Sequence, residues 1–187
     1  MRNLKWPLYA IGLGPLAGIF VIILISVVGG SDSRGGLISY DESGESDVFL
    51  EKPSNFEIRL FNGELLTLSD ELGSRPIMVD FWGSWCVPCR HEATALETVW
   101  RQYQDRVLFV GIDVFDTNAR AQDFIREFNI TYPVGPDPRG SIAIDYGLTG
   151  VPEKHFINQD GRVVRKLVGP MNEARLSSVL DELLETN

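Results

Sequence analysis

Cysteine is almost absent. Cys86 and Cys89 are the only two among 187 residues. That scarcity excludes a disulfide-stapled scaffold, which relies on several bridges. A bridge between these two would close a ring of only four residues. Loop-closure stabilisation grows with loop size, so such a bridge is a poor staple and the pair reads as reactive. Histidine is equally scarce, with only His91 and His155. A zinc site needs about two ligands beyond one cysteine pair, so a metal reading would have to recruit both. Positive charge is short as well: 17 Lys and Arg stand against 26 Asp and Glu, a net charge of −9. An acidic surface repels phosphates, which argues against nucleic acid as a partner.

Charge of either sign is missing from Trp6 to Ser31, and Ile19 to Ile25 is continuously apolar. About 20 apolar residues cross a bilayer, so residues 1–30 are expected to form a transmembrane anchor. Arg2 and Lys5 precede the run, while Asp41, Glu42, Glu45 and Asp47 follow it. Basic residues stay cytoplasmic, which predicts a single-pass protein of the cytoplasmic (inner) membrane. Its N-terminus would be inside and its folded part on the periplasmic, extracytoplasmic side. A cleaved signal peptide is the alternative. Its apolar region runs to roughly 7–15 residues, shorter than this one, although Gly29-Gly30-Ser31 leaves cleavage possible.

Residues 31–53 are rich in Ser, Gly, Asp and Glu and read as a flexible acidic linker. Residues 54–187 form the folded domain. Phe56 to Leu60 alternates like a half-buried strand, Asn62-Gly63 is a hairpin turn, and Leu65 to Leu68 returns. Ile77 to Trp82 and Val107 to Ile112 read as buried strands. A helix is expected from Pro88 to about Tyr103, and a second after Thr117. Thr131 to Gly140 is rich in proline and glycine and reads as a loop. Ser141 to Tyr146 suits a short helix. Lys154–Asn158 and Arg162–Val168 suit a hairpin, and Asn172 caps a last helix. Strands alternating with helices predict an α/β domain with a central mixed sheet flanked by helices.

Cys86 is placed at the start of the helix that follows the strand at 77–82. Helix dipole and free N–H groups there stabilise a thiolate. Cys86 is therefore the expected nucleophile, partly exposed, with Cys89 one turn inward as the resolving thiol. Pro88 suits a helix start, where its missing N–H is not needed. Asp80 is an acid in an apolar strand. It is either a buried carboxyl with a raised pKa that relays the proton of Cys89, or a charge paired with a nearby lysine. Glu92 is either an acid beside the site or an exposed first-turn glutamate favouring the helix dipole. Trp82 reads as core, and Trp85 as a cover and apolar contact surface for Cys86. His91 and His155 read as ordinary helix and strand residues.

Val79-Asp80-Phe81-Trp82-Gly83-Ser84-Trp85-Cys86-Val87-Pro88-Cys89 resembles the active-site run of the thioredoxin superfamily. Gly147 to Glu153 resembles the cis-proline segment of its membrane-anchored cytochrome c maturation branch (CcmG/DsbE, ResA and TlpA). The likeness spans roughly residues 54–185. It implies a thioredoxin-like fold with an added N-terminal β-hairpin, preceded by one transmembrane helix. It also implies a redox-active Cys86–Cys89 disulfide, with no cofactor and no metal. Val151-Pro152 would be a cis peptide whose backbone at Val151 meets an extended substrate. Trp85, Val151, Pro152 and Glu153 would then form the substrate-binding rim, and Asp80 would match the buried aspartate of thioredoxin. Lys154 departs from the pattern, since CcmG proteins usually carry threonine there. The activity implied is protein disulfide reduction. Exported disulfide proteins, apocytochrome c among them, are the implied clients, and a transmembrane thiol carrier of the CcdA/DsbD type is the implied electron donor. Two rivals stand beside it: a TlpA-like reductase for copper-site assembly of cytochrome oxidase, and a copper-binding chaperone. A peroxidase is disfavoured, because the usual threonine-to-cysteine spacing is missing.

Overall fold

A computed structural model of the chain describes residues 45–46 and 52–185. The anchor expected over residues 1–30 and most of the linker at 31–53 lie outside the described residues. Among the described residues no helix is long and apolar enough to cross a membrane.

The chain runs β1 (Glu45–Ser46), β2 (Glu57–Arg59), β3 (Leu65–Thr67), α1 (Leu68–Glu71), β4 (Ile77–Trp82), α2 (Val87–Tyr103), β5 (Leu108–Val114), α3 (Asn118–Glu127), β6 (Val134–Asp137), α4 (Ser141–Asp145), β7 (Glu153–Ile157), β8 (Val163–Val168) and α5 (Glu173–Glu185). Six strands make one mixed sheet in the order β1-β8-β7-β4-β5-β6. β4, β5 and β6 are parallel, while β7 pairs antiparallel with β4 and β8. Glu45 and Ser46, within the stretch read as linker, pair with Leu167 and Lys166 of β8. β2 and β3 form the expected separate hairpin. It is tied to the sheet by Phe61 N–H donating to Val134 C=O at 2.9 Å.

Alternation along β4 builds two apolar layers. Met78 and Trp82 join Phe109, Leu96, Val99, Leu176 and Leu180 on the face covered by α2 and α5. Ile77, Val79 and Phe81 join Val110, Ile112, Ile58, Leu66 and Ile142 on the other. All six residues of β4 are buried, so the strand is the centre of both layers. Thr117 caps α3 by accepting from Arg120 N–H, and Asn172 caps α5 by accepting from Arg175 N–H at 2.9 Å.

The segment at 131–140 corrects the expectation of a loop. Val134–Asp137 is a strand, parallel to β5. It lies at the sheet edge, where proline is tolerated because no second neighbour needs its N–H. Glycine is required at 135: a Cβ there would meet Ile58 Cγ1 at 2.5 Å, so the hairpin closes over this strand only because the side chain is absent.

Leu176 fastens α5 to the sheet and is fully buried. Leu176→Ala is expected to lower the unfolding free energy by about 2–5 kcal/mol, read from a urea titration followed by tryptophan fluorescence.

Candidate active site

The end of β4 delivers the chain into the first turn of α2. Cys86 is the N-cap residue. Its N–H donates to Gly83 C=O at 3.0 Å, and its Sγ accepts from Cys89 N–H at 3.1 Å. Pro88 sits in the first turn, where it displaces no hydrogen bond. Cys86 and Cys89 are joined in a disulfide, with Cα atoms 5.3 Å apart.

One expectation fails here. Cys86 is only 3% exposed, little different from Cys89 at 2%. The physical reason is local: the Cys86 sulfur turns inward, to bond Cys89 and to accept its N–H. The residues on either side do the opposite, with Trp85 half exposed and Val87 60% exposed. The Trp85 indole does not project freely. Its Nε1–H donates to Val114 C=O at 3.3 Å, and the ring lies on Gly83, where any Cβ would meet Nε1 at 2.6 Å. The adjoining Ser84 N–H donates to Asp116 at 2.8 Å. The β5–α3 connection is thereby pinned to the disulfide loop, and it carries exposed Phe115 in the left-handed region (φ 53°). Trp82 is core as expected, stacked on Phe124.

Asp80 and Glu92 come together around a residue the sequence reading marked only as a departure. Lys154 Nζ lies 3.5 Å from Asp80 Oδ1 and makes a close ion pair with Glu92 Oε1. Glu92 Oε2 accepts Met171 N–H at 2.7 Å. All three side chains are sealed from solvent. The exposed placement considered for Glu92 is therefore wrong: one turn after Cys89, position 92 faces the sheet rather than water. Burial raises Asp80, with Lys154 opposing it. Burial likewise pushes Glu92 up to about 7, with Lys154 pulling it down and Asp80 pushing it further up. Both carboxyls line one small internal cavity with Cys89, Trp82, Phe124 and Tyr132. Two acids whose pKa values burial raises, beside a buried thiol, can hold or accept its proton.

The second acid pair was not read from sequence. Asp113 is buried opposite Trp82 on β5, and burial together with neighbouring Asp116 pushes its carboxyl up to about 8. Its signal was the same as that of Asp80, an acid at the end of an apolar strand.

The cis-proline segment is as expected in one respect: the Val151-Pro152 peptide is cis. Val151 packs against the apolar cluster that holds both cysteines. Among the described residues neither its N–H nor its C=O has a hydrogen-bond partner. Glu153 is turned elsewhere. It pairs in register with Phe81, so it faces the layer opposite α2. There it accepts from Thr149 N–H and Oγ1–H (3.1 and 2.8 Å), from His155 Nε2 and from Lys166 Nζ (2.8 Å each). Burial alone would raise Glu153, but these hydrogen bonds outweigh it and hold the carboxyl below its usual range. Its carboxylate is not presented to the disulfide. His155 shares that opposite layer, in contact with Phe81 and Tyr146, whereas His91 is exposed on α2.

Known proteins share this architecture. Residues 51–166 match the model of the AhpC/TSA family. The chain is 25% identical over 166 residues to the thiol-disulfide oxidoreductase ResA of Bacillus cereus, covering 88% of this chain and 94% of that one. It is 35% identical over 108 residues to the thiol:disulfide interchange protein HelX of Rhodobacter capsulatus, covering 57% and 60%. A DsbF homologue from Corynebacterium diphtheriae superposes with a TM-score of 0.63 at 28% identity, over 81% of this chain and 96% of that one. The family match, together with a strand–turn–helix that opens on a Cys-x-x-Cys disulfide and a cis proline just before β7 of the mixed sheet, places this chain in the AhpC/TSA family, among its thioredoxin-like thiol–disulfide oxidoreductases.

Proposed function

We propose that the protein is a membrane-tethered disulfide reductase working outside the cytoplasmic membrane, with apocytochrome c as client. The observation that carries the protein-substrate part is the rim. A recessed disulfide lies between exposed Trp85 and Val87, with the backbone of Val151 unpaired. Apolar side chains and free N–H and C=O groups suit an extended polypeptide, which adds main-chain hydrogen bonds and side-chain contacts. The charge-free run at 6–31 supports the tether. The similarity to ResA and HelX supports the client class.

The chemistry balances as follows. The Cys86 thiolate attacks one sulfur of the client disulfide. A mixed disulfide forms and one client thiolate leaves, taking a proton from water. Cys89 gives its proton to the buried carboxyls Asp80 and Glu92. Its thiolate attacks Cys86 Sγ, and the bond from Cys86 to the client sulfur breaks. The second client sulfur departs as a thiolate that takes a proton from water, while the carboxyls later release theirs to solvent. The client gains two electrons and two protons, and the enzyme is left as the Cys86–Cys89 disulfide. A transmembrane thiol carrier of the CcdA/DsbD type would reduce it again. Trp85 and the Val151 backbone form the contact surface, with Pro152 buried behind Val151. Glu153 acts at a distance by closing the 149–153 loop through Thr149.

Cys89→Ala leaves the mixed disulfide unresolved. Expressed in the host, this variant is expected to accumulate adducts through Cys86 to proteins with a Cys-x-x-Cys-His sequence, identified by mass spectrometry of membrane extracts. Adducts confined to copper-site assembly proteins would replace the client assignment, and the absence of adducts would remove the reductase reading. Trp85→Ala removes the half-exposed indole next to Cys86. It is expected to slow reduction of a disulfide-bonded polypeptide about tenfold, the loss of roughly one buried aromatic contact. Reduction of glutathione disulfide, too small to span the rim, should change less than twofold. Stopped-flow fluorescence measures both.

A further inference from the structure

We infer that Lys154 is a positioning residue for resolution: its ammonium binds Asp80 and Glu92 into a unit that holds one exchangeable proton for Cys89. The inference rests on the reading of Cys89 as the resolving thiol. It goes beyond that reading by assigning the number of protons and the group that sets it.

The geometry carries it. Lys154 projects from β7 directly across from Asp80 of β4 in the antiparallel register. Paired residues share a face, so the amine enters the layer covered by α2, where Glu92 descends to meet it. The side chain is fully buried and reaches no water. Among the described residues, the elements packed around the trio place no second cation against it. From β8, Leu167 stands opposite Lys154. From β5, Gly111 stands opposite Asp80, and Asp113 lies further along with Asp116. Tyr132 contributes a buried phenol. On α2, Glu97 lies further on, engaged by Arg101 and Thr131. The Glu173–Glu185 helix is reached only through the Met171 N–H. Two carboxylates and one ammonium sum to −1. Burial penalises that residual charge, and one added proton cancels it. The trio therefore alternates between neutral, holding a proton, and singly negative, ready to take one. Without Lys154 both carboxyls would remain protonated at neutral pH, and neither could receive the Cys89 proton. With Lys154 but one carboxyl fewer, the remaining acid would stay ionised and could not hold the proton.

Opposite pH shifts test this assignment. Reduced protein is mixed with one equivalent of 5,5′-dithiobis(2-nitrobenzoate), and the thionitrobenzoate absorbance is followed by stopped flow. The first phase reports attack by Cys86. The second reports release of the mixed disulfide by Cys89. In the wild type the second phase should slow as pH falls through about 7, where Glu92 titrates. Lys154→Met should move that midpoint up by a unit or more, slowing the second phase at pH 7 about fivefold. Glu92→Gln should move it down. The first-phase pH profile should hold in both variants. Midpoints that do not move, or that move in the same direction in both variants, overturn the role of Lys154. If Lys154→Met does not fold, the double variant Lys154→Met/Glu92→Gln is used in its place. It keeps one uncompensated buried acid and should again titrate above the wild type, and a midpoint at or below the wild type overturns the inference. Absence of a second phase in the wild type would instead remove Cys89 as the resolving thiol and, with it, the proposed mechanism.

Discussion

The ion trio under the disulfide is the constraint on which the arrangement depends. Asp80, Glu92 and Lys154 come from β4, α2 and β7, and a backbone N–H from the segment before α5 completes it. Removing three charged groups from water costs several kcal/mol each before pairing is counted. Well-packed apolar residues of similar volume would stabilise the fold as well or better. Stability alone therefore gives no reason to place charge there. Chemistry does: a buried thiol can lose its proton only to an acceptor within reach, and Asp80 and Glu92 share a cavity with Cys89. The trio also fixes α2 against the two strands at the level of the disulfide, so the geometry of the sulfurs and the proton count of the acids are set together.

Adjacent residues of β7 show how the same chemical groups are driven in opposite directions. Lys154 enters the α2 layer and meets two acids that lack enough donors. Glu153, one residue earlier, enters the other layer and meets four donor atoms, on Thr149, His155 and Lys166. Burial is comparable, but hydrogen bonding is not. Glu153 stays ionised and serves as a fixed anchor for the loop that carries Val151, while Glu92 titrates near neutrality. The strand thus separates a structural acid from a protonic one, on opposite faces of the sheet.

Much of this was legible in the residues. Cys-x-x-Cys after an apolar strand located the site. The apolar alternation of the hairpin around Asn62-Gly63 and the caps at Thr117 and Asn172 located their elements. What escaped was nonlocal. Val134–Asp137 contains glycine and proline and is a strand only because β5 offers an edge. Glu92 stayed divided between an acid beside the site and an exposed glutamate, because the helix phase at its first turn cannot be fixed without knowing which side meets the sheet. Lys154 stood out as a departure, but its meaning required the β4–β7 register, which joins residues 80 and 154 across more than 70 positions. The exposure of Cys86 was misjudged for a local reason, since a bonded sulfur turns inward.

That inward turn bears on selectivity. A disulfide that is 3% exposed presents little cross-section to a thiol arriving at random. In-line attack requires the incoming sulfur to lie along the S–S axis, and the approach is bounded by Trp85, Val87 and the Val151 backbone. Trp85 is held in place from below by the Val114 carbonyl and the surface of Gly83, so ordering it on binding costs little side-chain entropy. In the proposed direction it is the thiol donor that attacks the oxidised enzyme. A donor that pairs with Val151 and covers the rim would bring its own sulfur onto that line. A small thiol gains no such contact and must find the orientation unaided. Under the proposed function, recession of the sulfurs and exposure of the rim would be one device: the first suppresses indiscriminate exchange, and the second returns the lost rate to protein partners that cover the rim.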